Sequence, residues 1–225
     1  MRLAHFTHIF YLAGIVREGI AKGEVPLSPV HVINFPWFTS DFTQDAQLDW
    51  TSLFPGKTSL RLEVEFREDD ERLVLWRDYA KRLRLRDDWY RDLTGPHLNR
   101  NERSWRVYRG VVPFTWITGA YFQPLRERLT PDTLREAAEL IAPLNIQGRS
   151  VLPCQHLTEA EALTMSHDER MAGYSEPVRA ALADVLNHSG PMRVFVPPPA
   201  HTFLDYVRGA IESYRTVVLR QFTLN

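Results

Sequence analysis

Two histidines and a threonine stand almost at the head of this chain, in HFTHIF over residues 5 to 10. Side chains alternate along an extended strand, so His5 and Thr7 share one face and Phe6 takes the other. Phe6 then belongs to a core while His5 and Thr7 line a cleft. A helix beginning just afterwards turns its unpaired N–H groups and positive end toward the same place, which favours an anionic ligand such as a pyrophosphate. The local alternative makes His5 a polar edge residue and Thr7 the helix N-cap. Three carboxylates could do chemistry from strands: Glu102 in NRNERSWRVYRG, and Glu63 and Glu65 on the polar face of LRLEVEF. Their plainer reading is solvated strand charge. Cys154 and His156 could form a nucleophile pair, but no third group orients the histidine. His97, His156, His167, His188 and His201 lack the i, i+4 or short-loop spacing of a metal site, so no metal is expected. No Gly-rich phosphate loop is present. The segment KRLRLRDDWYR, residues 81 to 91, has the basic and aromatic composition of a nucleic-acid contact. Asp78, Asp87, Asp88 and Asp92 accompany it, which favours a salt-bridged helix face.

The elements that must position these groups follow from periodicity. Ile9, Leu12, Ile15, Val16 and Ile20 recur at helical spacing, with stop signals at Gly19 and Gly23. VHVINFPWFTS has strand character interrupted at Pro36. In LRLEVEF, Leu60, Leu62, Val64 and Phe66 alternate with charge, the pattern of a strand with one buried face. Leu73, Trp76, Ala80 and Leu83 mark an amphipathic helix, and SWRVYRG reads as a further strand. Downstream, Thr130 before Pro131, Thr158 with Glu161 and Ser166 with Glu169 are helix starts. MRVFVPPPAH reads as a short strand ended by prolines, and Phe203, Tyr206, Val207, Ala210, Ile211, Tyr214, Val217 and Val218 form the stripe of a last helix.

With 225 residues and 44% hydrophobic content the chain can bury a full core, and a net charge of −1 excludes a polyelectrolyte character. One cysteine excludes an internal disulfide and points to a reducing compartment. No apolar run approaches a membrane span, so the expectation is a soluble cytoplasmic protein without a membrane partner. All six tryptophans lie between Trp37 and Trp116, which puts a change of character near residue 125. The fold class expected is α+β: a unit over 1–125, with an α-rich part over 126–225 packed on it.

The opening AHFTHIFYLAGIVREGI resembles the start of the ADP-ribosyltransferase superfamily, most of all the DarT-type nucleic-acid ADP-ribosyltransferases. His5, Thr7, His8, Ile9, Leu12, Ile15 and Gly19 carry that resemblance. FPWFTS is similar to the aromatic strand ending in small hydroxyl residues in several branches of the superfamily. The resemblance implies a split β-sheet core with helices and NAD as substrate. It places His5 on the adenosine-side ribose, and Thr7, helped by the backbone of Phe6, on the nicotinamide amide. Trp37 and Phe38 would flank the nicotinamide, with Thr39 and Ser40 at the strand end. A glutamate must steady the oxocarbenium-like transition state as nicotinamide leaves, a role for charge set in advance. Glu102 matches it best, because it opens an aromatic strand, although Arg103 and Ser104 intervene before Trp105; Glu63 and Glu65 are its rivals. Where DarT-type enzymes carry an arginine after the aromatic strand, this chain has Asp41, and Arg61 or Arg106 could substitute. The implied activity is toxin-like transfer of ADP-ribose to a macromolecular acceptor, nucleic acid or protein, with an antitoxin or immunity partner. The alternatives are a nucleic-acid-binding protein, or a non-catalytic interaction protein with a degenerate nucleotide-binding fold.

Overall fold

A computed structural model describes residues 1–43, 59–87, 89–90, 102–146, 154–172 and 199–222, with the side chains of 102 and 217–222 outside that description. The opening strand, β1 (Arg2–Thr7), runs through Thr7 itself, then gives way to a 3-10 turn (Ile9–Tyr11) and α1 (Leu12–Glu18). Thr7 is therefore not the cap. It is buried within the strand, and the cap is His8, whose Nδ1 accepts from the Phe10 N–H at 3.3 Å. Pro36 separates β3 (His31–Asn34) from β4 (Trp37–Thr39); β2 (Glu24–Ser28) forms a hairpin with β3. The alternating LRLEVE makes β5 (Leu60–Glu65), in which Leu60, Leu62 and Val64 are wholly buried. β6 (Leu73–Leu75) runs straight into α2 (Trp76–Arg82), and β7 (Trp105–Tyr108), β8 (Ile117–Phe122) and β9 (Glu127–Leu129) follow.

The Thr130 hydroxyl accepts from the Thr133 N–H to start α3 (Pro131–Ile141), with Pro131 at its first turn. After β10 (Gln155–Leu157), both expected capping boxes are present, Thr158 with Glu161 on α4 (Glu159–Thr164) and Ser166 with Glu169 on α5 (His167–Met171). The last helix is α6 (Phe203–Phe222). The strand expected near residue 194 lies outside the described residues.

The architecture is α+β. Among the described residues, seven strands form one antiparallel sheet in the order β6-β7-β4-β1-β5-β8-β9, and β10-β3-β2 form a second, small sheet. One face of the large sheet, with Leu3, Leu62, Val64, Phe38 and Phe122, packs against α1, α3 and α6 in the main core. Beyond residue 125, β9 still pairs with β8, and Leu134, Ala137, Phe203 and Val207 join that core. The composition change therefore falls inside a shared core. The opposite face, at its β7 end, contributes Trp105 and Val107 to a second cluster with Val25, Ile33, Trp76, Tyr79 and Leu157 from the small sheet and α2. A buried arginine pins that cluster: Arg170 donates to the Leu83 and Ala162 carbonyls at 2.6 Å each. Among the described residues, no helix is long and apolar enough to cross a membrane.

The end of α1 rests on one glycine. Gly19 has φ +85°, and a Cβ there would stand 2.5 Å from the Val112 carbonyl oxygen, beside the Ile20–Val112 bridge. Gly19→Ala should cost about 2 kcal/mol or more, a drop of roughly 4–8 °C in melting temperature for a chain of this size. An unchanged melting curve would contradict this placement of the α1 terminus.

Candidate functional site

The three segments that carry the expected site come together on three adjacent strands. β4 lies between β1, through Ala4↔Thr39, and β7, through Trp37↔Val107, Phe38↔Arg106 and Thr39↔Trp105. Directly opposed residues of antiparallel strands project to the same side. One row across the sheet therefore reads Leu62, His5, Phe38, Arg106 on the helix-covered face. The neighbouring row reads Glu63, Ala4, Thr39, Trp105 on the opposite face.

His5 is half-buried and anchored at both ends of its ring. Its Nδ1 lies 2.8 Å from the Trp37 carbonyl oxygen, and the ring tilts against Phe38 at 5.5 Å. The carbonyl oxygen can only accept, so Nδ1 carries the proton of that bond. Thr7 projects to the same side as His5, as the alternation requires, and is buried. Phe6 points to the opposite face, as the alternation requires, but it is half-buried and belongs to neither of the two hydrophobic clusters, so it is not the core residue expected.

The aromatic candidates are taken up by packing. Phe38 is 2% exposed and sits edge-on to Phe66 at 4.9 Å. Trp37 packs edge-on to Trp76 at 4.8 Å, and its indole N–H donates to the Glu24 carbonyl at 2.9 Å. A ligand ring stacking on Phe38 would have to displace a neighbour, whereas Trp37 is half-buried. The sequence could not show this, because Trp76 and Phe66 are brought in by sheet order alone.

At the end of β4, Thr39 and Ser104 share a buried hydroxyl–hydroxyl bond of 2.7 Å, and the Ser40 N–H donates to the Ser104 carbonyl at 3.1 Å. Thr39 Oγ1 also accepts from the Asp41 N–H at 2.9 Å. These bonds clamp the 3-10 turn Glu102–Ser104 to the aromatic strand. The Ser104 end of the turn that begins at Glu102 thus sits beside Ser40, whose side chain is exposed; the Glu102 side chain lies outside the described residues. Ser104 was not legible as a site residue, since only its pairing with Thr39 gives it a role.

Arg106 is the second residue that sequence reasoning left without a firm place. It shares the His5 row, is half-buried, and donates to the Ser104 carbonyl at 3.0 Å. Among the described residues no carboxylate lies within ion-pair range of it, and burial alone pulls its pKa below the usual arginine value. A half-buried cation with no carboxylate in range among the described residues suits an anionic ligand.

The rival glutamates differ sharply. Glu65 is exposed and meets the Met1 amine at 3.0 Å. Glu63, expected on a solvated face, is 5% exposed. Its carboxylate takes Arg61 at 3.0 Å and Arg2 and Arg128 at 3.5 Å each, so three guanidiniums surround one buried carboxylate. Arg61 also donates to the Phe42 carbonyl at 2.8 Å, which brings it next to the segment where the resemblance expects an arginine. Cys154 is no nucleophile at neutral pH, because burial first and Glu24 second push its thiol up to about 11. Its neighbour His156 is exposed. In the basic segment after Lys81, Leu83 turns inward while Arg82, Arg84 and Arg86 are exposed; Asp88, Arg91 and Asp92 lie outside the described residues, as do His97 and His188.

Comparison of the chain with protein-family models, with curated proteins and with solved structures returns no match.

His8 offers a test of the β1–α1 junction. Burial holds its imidazole down at about 4, against an ordinary value of 6.5. The unfolded chain therefore binds this proton near pH 6.5, and the folded chain only near pH 4. Stability should be full above pH 6.5 and decline as pH falls to 4, by on the order of 2–3 kcal/mol at most. His8→Asn keeps a cap acceptor for the Phe10 N–H and removes the titration. Urea midpoints measured from pH 7.5 to pH 4 should fall less steeply in the variant, and parallel curves would refute the assignment.

Proposed function

We propose that this protein is an NAD-dependent ADP-ribosyltransferase that moves ADP-ribose from NAD to a macromolecular acceptor and releases nicotinamide, in a toxin-like role. The observation that carries the reading is the adjacency of β1, β4 and β7. It sets His5 against the aromatic strand and clamps the turn bearing Glu102 to the hydroxyl end of that strand. In an ADP-ribosyltransferase-like core these are the segments that would hold the substrate. His5 would contact a ribose, and the half-buried guanidinium of Arg106 suits the diphosphate of NAD.

The bond to break joins nicotinamide to its ribose, and positive charge builds on that ribose as nicotinamide departs. A carboxylate set beforehand at that place lowers the barrier without any reorganisation at the moment of reaction. Among the three candidates Glu102 suits the task best. Glu63 is already shared among three arginines, and Glu65 serves the Met1 amine at the sheet edge. The acceptor nucleophile then closes on the ribose carbon that nicotinamide has left.

Labelled NAD offered with DNA, RNA and protein acceptors tests the reading. Wild-type protein should transfer label or hydrolyse NAD. Glu102→Gln should keep most NAD affinity and lose about 10²–10³ in rate, the scale of one preorganised electrostatic contact. His5→Ala should instead weaken NAD binding more than the chemical step, since ribose contacts act in ground and transition state alike. No binding, hydrolysis or transfer by the wild type at millimolar NAD would end the proposal; full activity in Glu102→Gln would remove Glu102 from it.

A further inference from the structure

The short segment that leaves β4 is fixed residue by residue. The Ser40 N–H donates to the Ser104 carbonyl at 3.1 Å, and the Asp41 N–H donates to the Thr39 hydroxyl at 2.9 Å. The Asp41 carboxylate accepts from the Thr43 N–H at 2.9 Å and from its hydroxyl at 2.6 Å, which closes a turn of the chain on itself. Asp41 therefore builds this turn at the place where the resemblance expects an arginine. Phe42 is tied from across the sheet. Its carbonyl accepts from Arg61 Nη1 at 2.8 Å, and its ring lies 5.1 Å from the Arg61 guanidinium and 5.4 Å from that of Arg2.

Arg61 is itself held firmly. Its Nη2 meets the buried Glu63 carboxylate at 3.0 Å, and the Tyr121 ring lies 5.0 Å from the guanidinium. The side chain is 15% exposed and its Nε is buried, so little of the guanidinium remains open to a ligand. One Nη is spent on a carboxylate of β5 and the other on a carbonyl past β4. The carboxylate thus aims the fork, and the fork aims the carbonyl. We infer that Arg61 is a positioning residue: by gripping Phe42 it keeps Ser40 against Ser104, and so keeps the turn that begins at Glu102 in place for the chemistry. Only that last step rests on the NAD reading; the grip on the segment does not. Lysine cannot copy the fork, because its ammonium is a point donor that does not span two acceptors in one plane. The two arginines then have separable tasks. Arg106, half-buried in the His5 row, serves binding, and Arg61 serves rate.

Backbone hydrogen exchange and NAD kinetics of the intact protein test this together. In Arg61→Gln and Arg61→Lys the amides of residues 40–43 and 103–105 should exchange about tenfold faster or more, with α3 unchanged. Their kcat should fall about ten- to a hundredfold, the scale of a small misplacement, while KM for NAD stays within about twofold. Arg106→Ala should do the opposite, raising KM more than it lowers kcat. Phe42→Ala is the second variant. Phe42 belongs to neither hydrophobic cluster, so its melting curve should match wild type, and it should show the same split at smaller size. Exchange at 40–43 and 103–105 that neither Arg61→Gln nor Phe42→Ala alters overturns the inference. So does a raised KM with unchanged kcat in Arg61→Gln, which would put Arg61 on NAD itself, or a wild-type kcat in Arg61→Lys. A wild type inert toward NAD would end the NAD reading, and the exchange at 103–105 would then decide the inference by itself.

Discussion

The register of β1 is the constraint on which the molecule depends. This strand is paired on both sides, to β5 along its whole length from Arg2↔Glu65 to Thr7↔Leu60, and to β4 at Ala4↔Thr39. Because strand side chains repeat every two residues, a slip of one position would send every β1 side chain to the other face. His5 would leave Phe38 for the face where three arginines meet Glu63, and Arg2 would be driven toward the main core. Leu3, wholly buried under the helices, holds the register against that slip. Burying a leucine is favourable by roughly 1.5–3 kcal/mol, and burying an unpaired guanidinium in its place would cost more.

That single register gives the sheet two chemistries. On the helix-covered face, His5 and Arg106 flank the buried ring of Phe38, and Arg106 has no carboxylate within ion-pair range among the described residues. On the other face, three arginines converge on Glu63. The two meet at the end of β4, where Thr39 and Ser104 bond to each other and Ser40 emerges. Strand pairing positions each of these groups, and the side chains of Ser40, Arg2 and Arg128 are exposed.

The parts legible in the sequence were those set by neighbours along the chain. The LRLEVE alternation makes β5, and the boxes at Thr158 and Ser166 depend on contacts three residues away. What escaped was set by pairing at long range. Glu63 and Glu65 look alike in sequence, yet one is buried and the other exposed, because Arg2 and Arg128 arrive from β1 and β9 to hold only the first. The packing of Trp37 against Trp76 and its bond to the Glu24 carbonyl have no mark in the sequence either. Thr7 looked like a cap, but β5 extends the strand through it, and the capping passes to His8. The adjacency of β1, β4 and β7 could not be read from periodicity either, since sheet order leaves no mark on a single strand's pattern.

The account stands on NAD binding at the junction of those three strands. Backbone hydrogen exchange of the intact protein, with and without millimolar NAD, measures this directly and needs no acceptor or turnover. Slower exchange should appear at residues 3–10, 37–43 and 102–108, with α3 unchanged. Exchange that NAD leaves unaltered everywhere, or slows only away from β1, β4 and β7, would contradict the account.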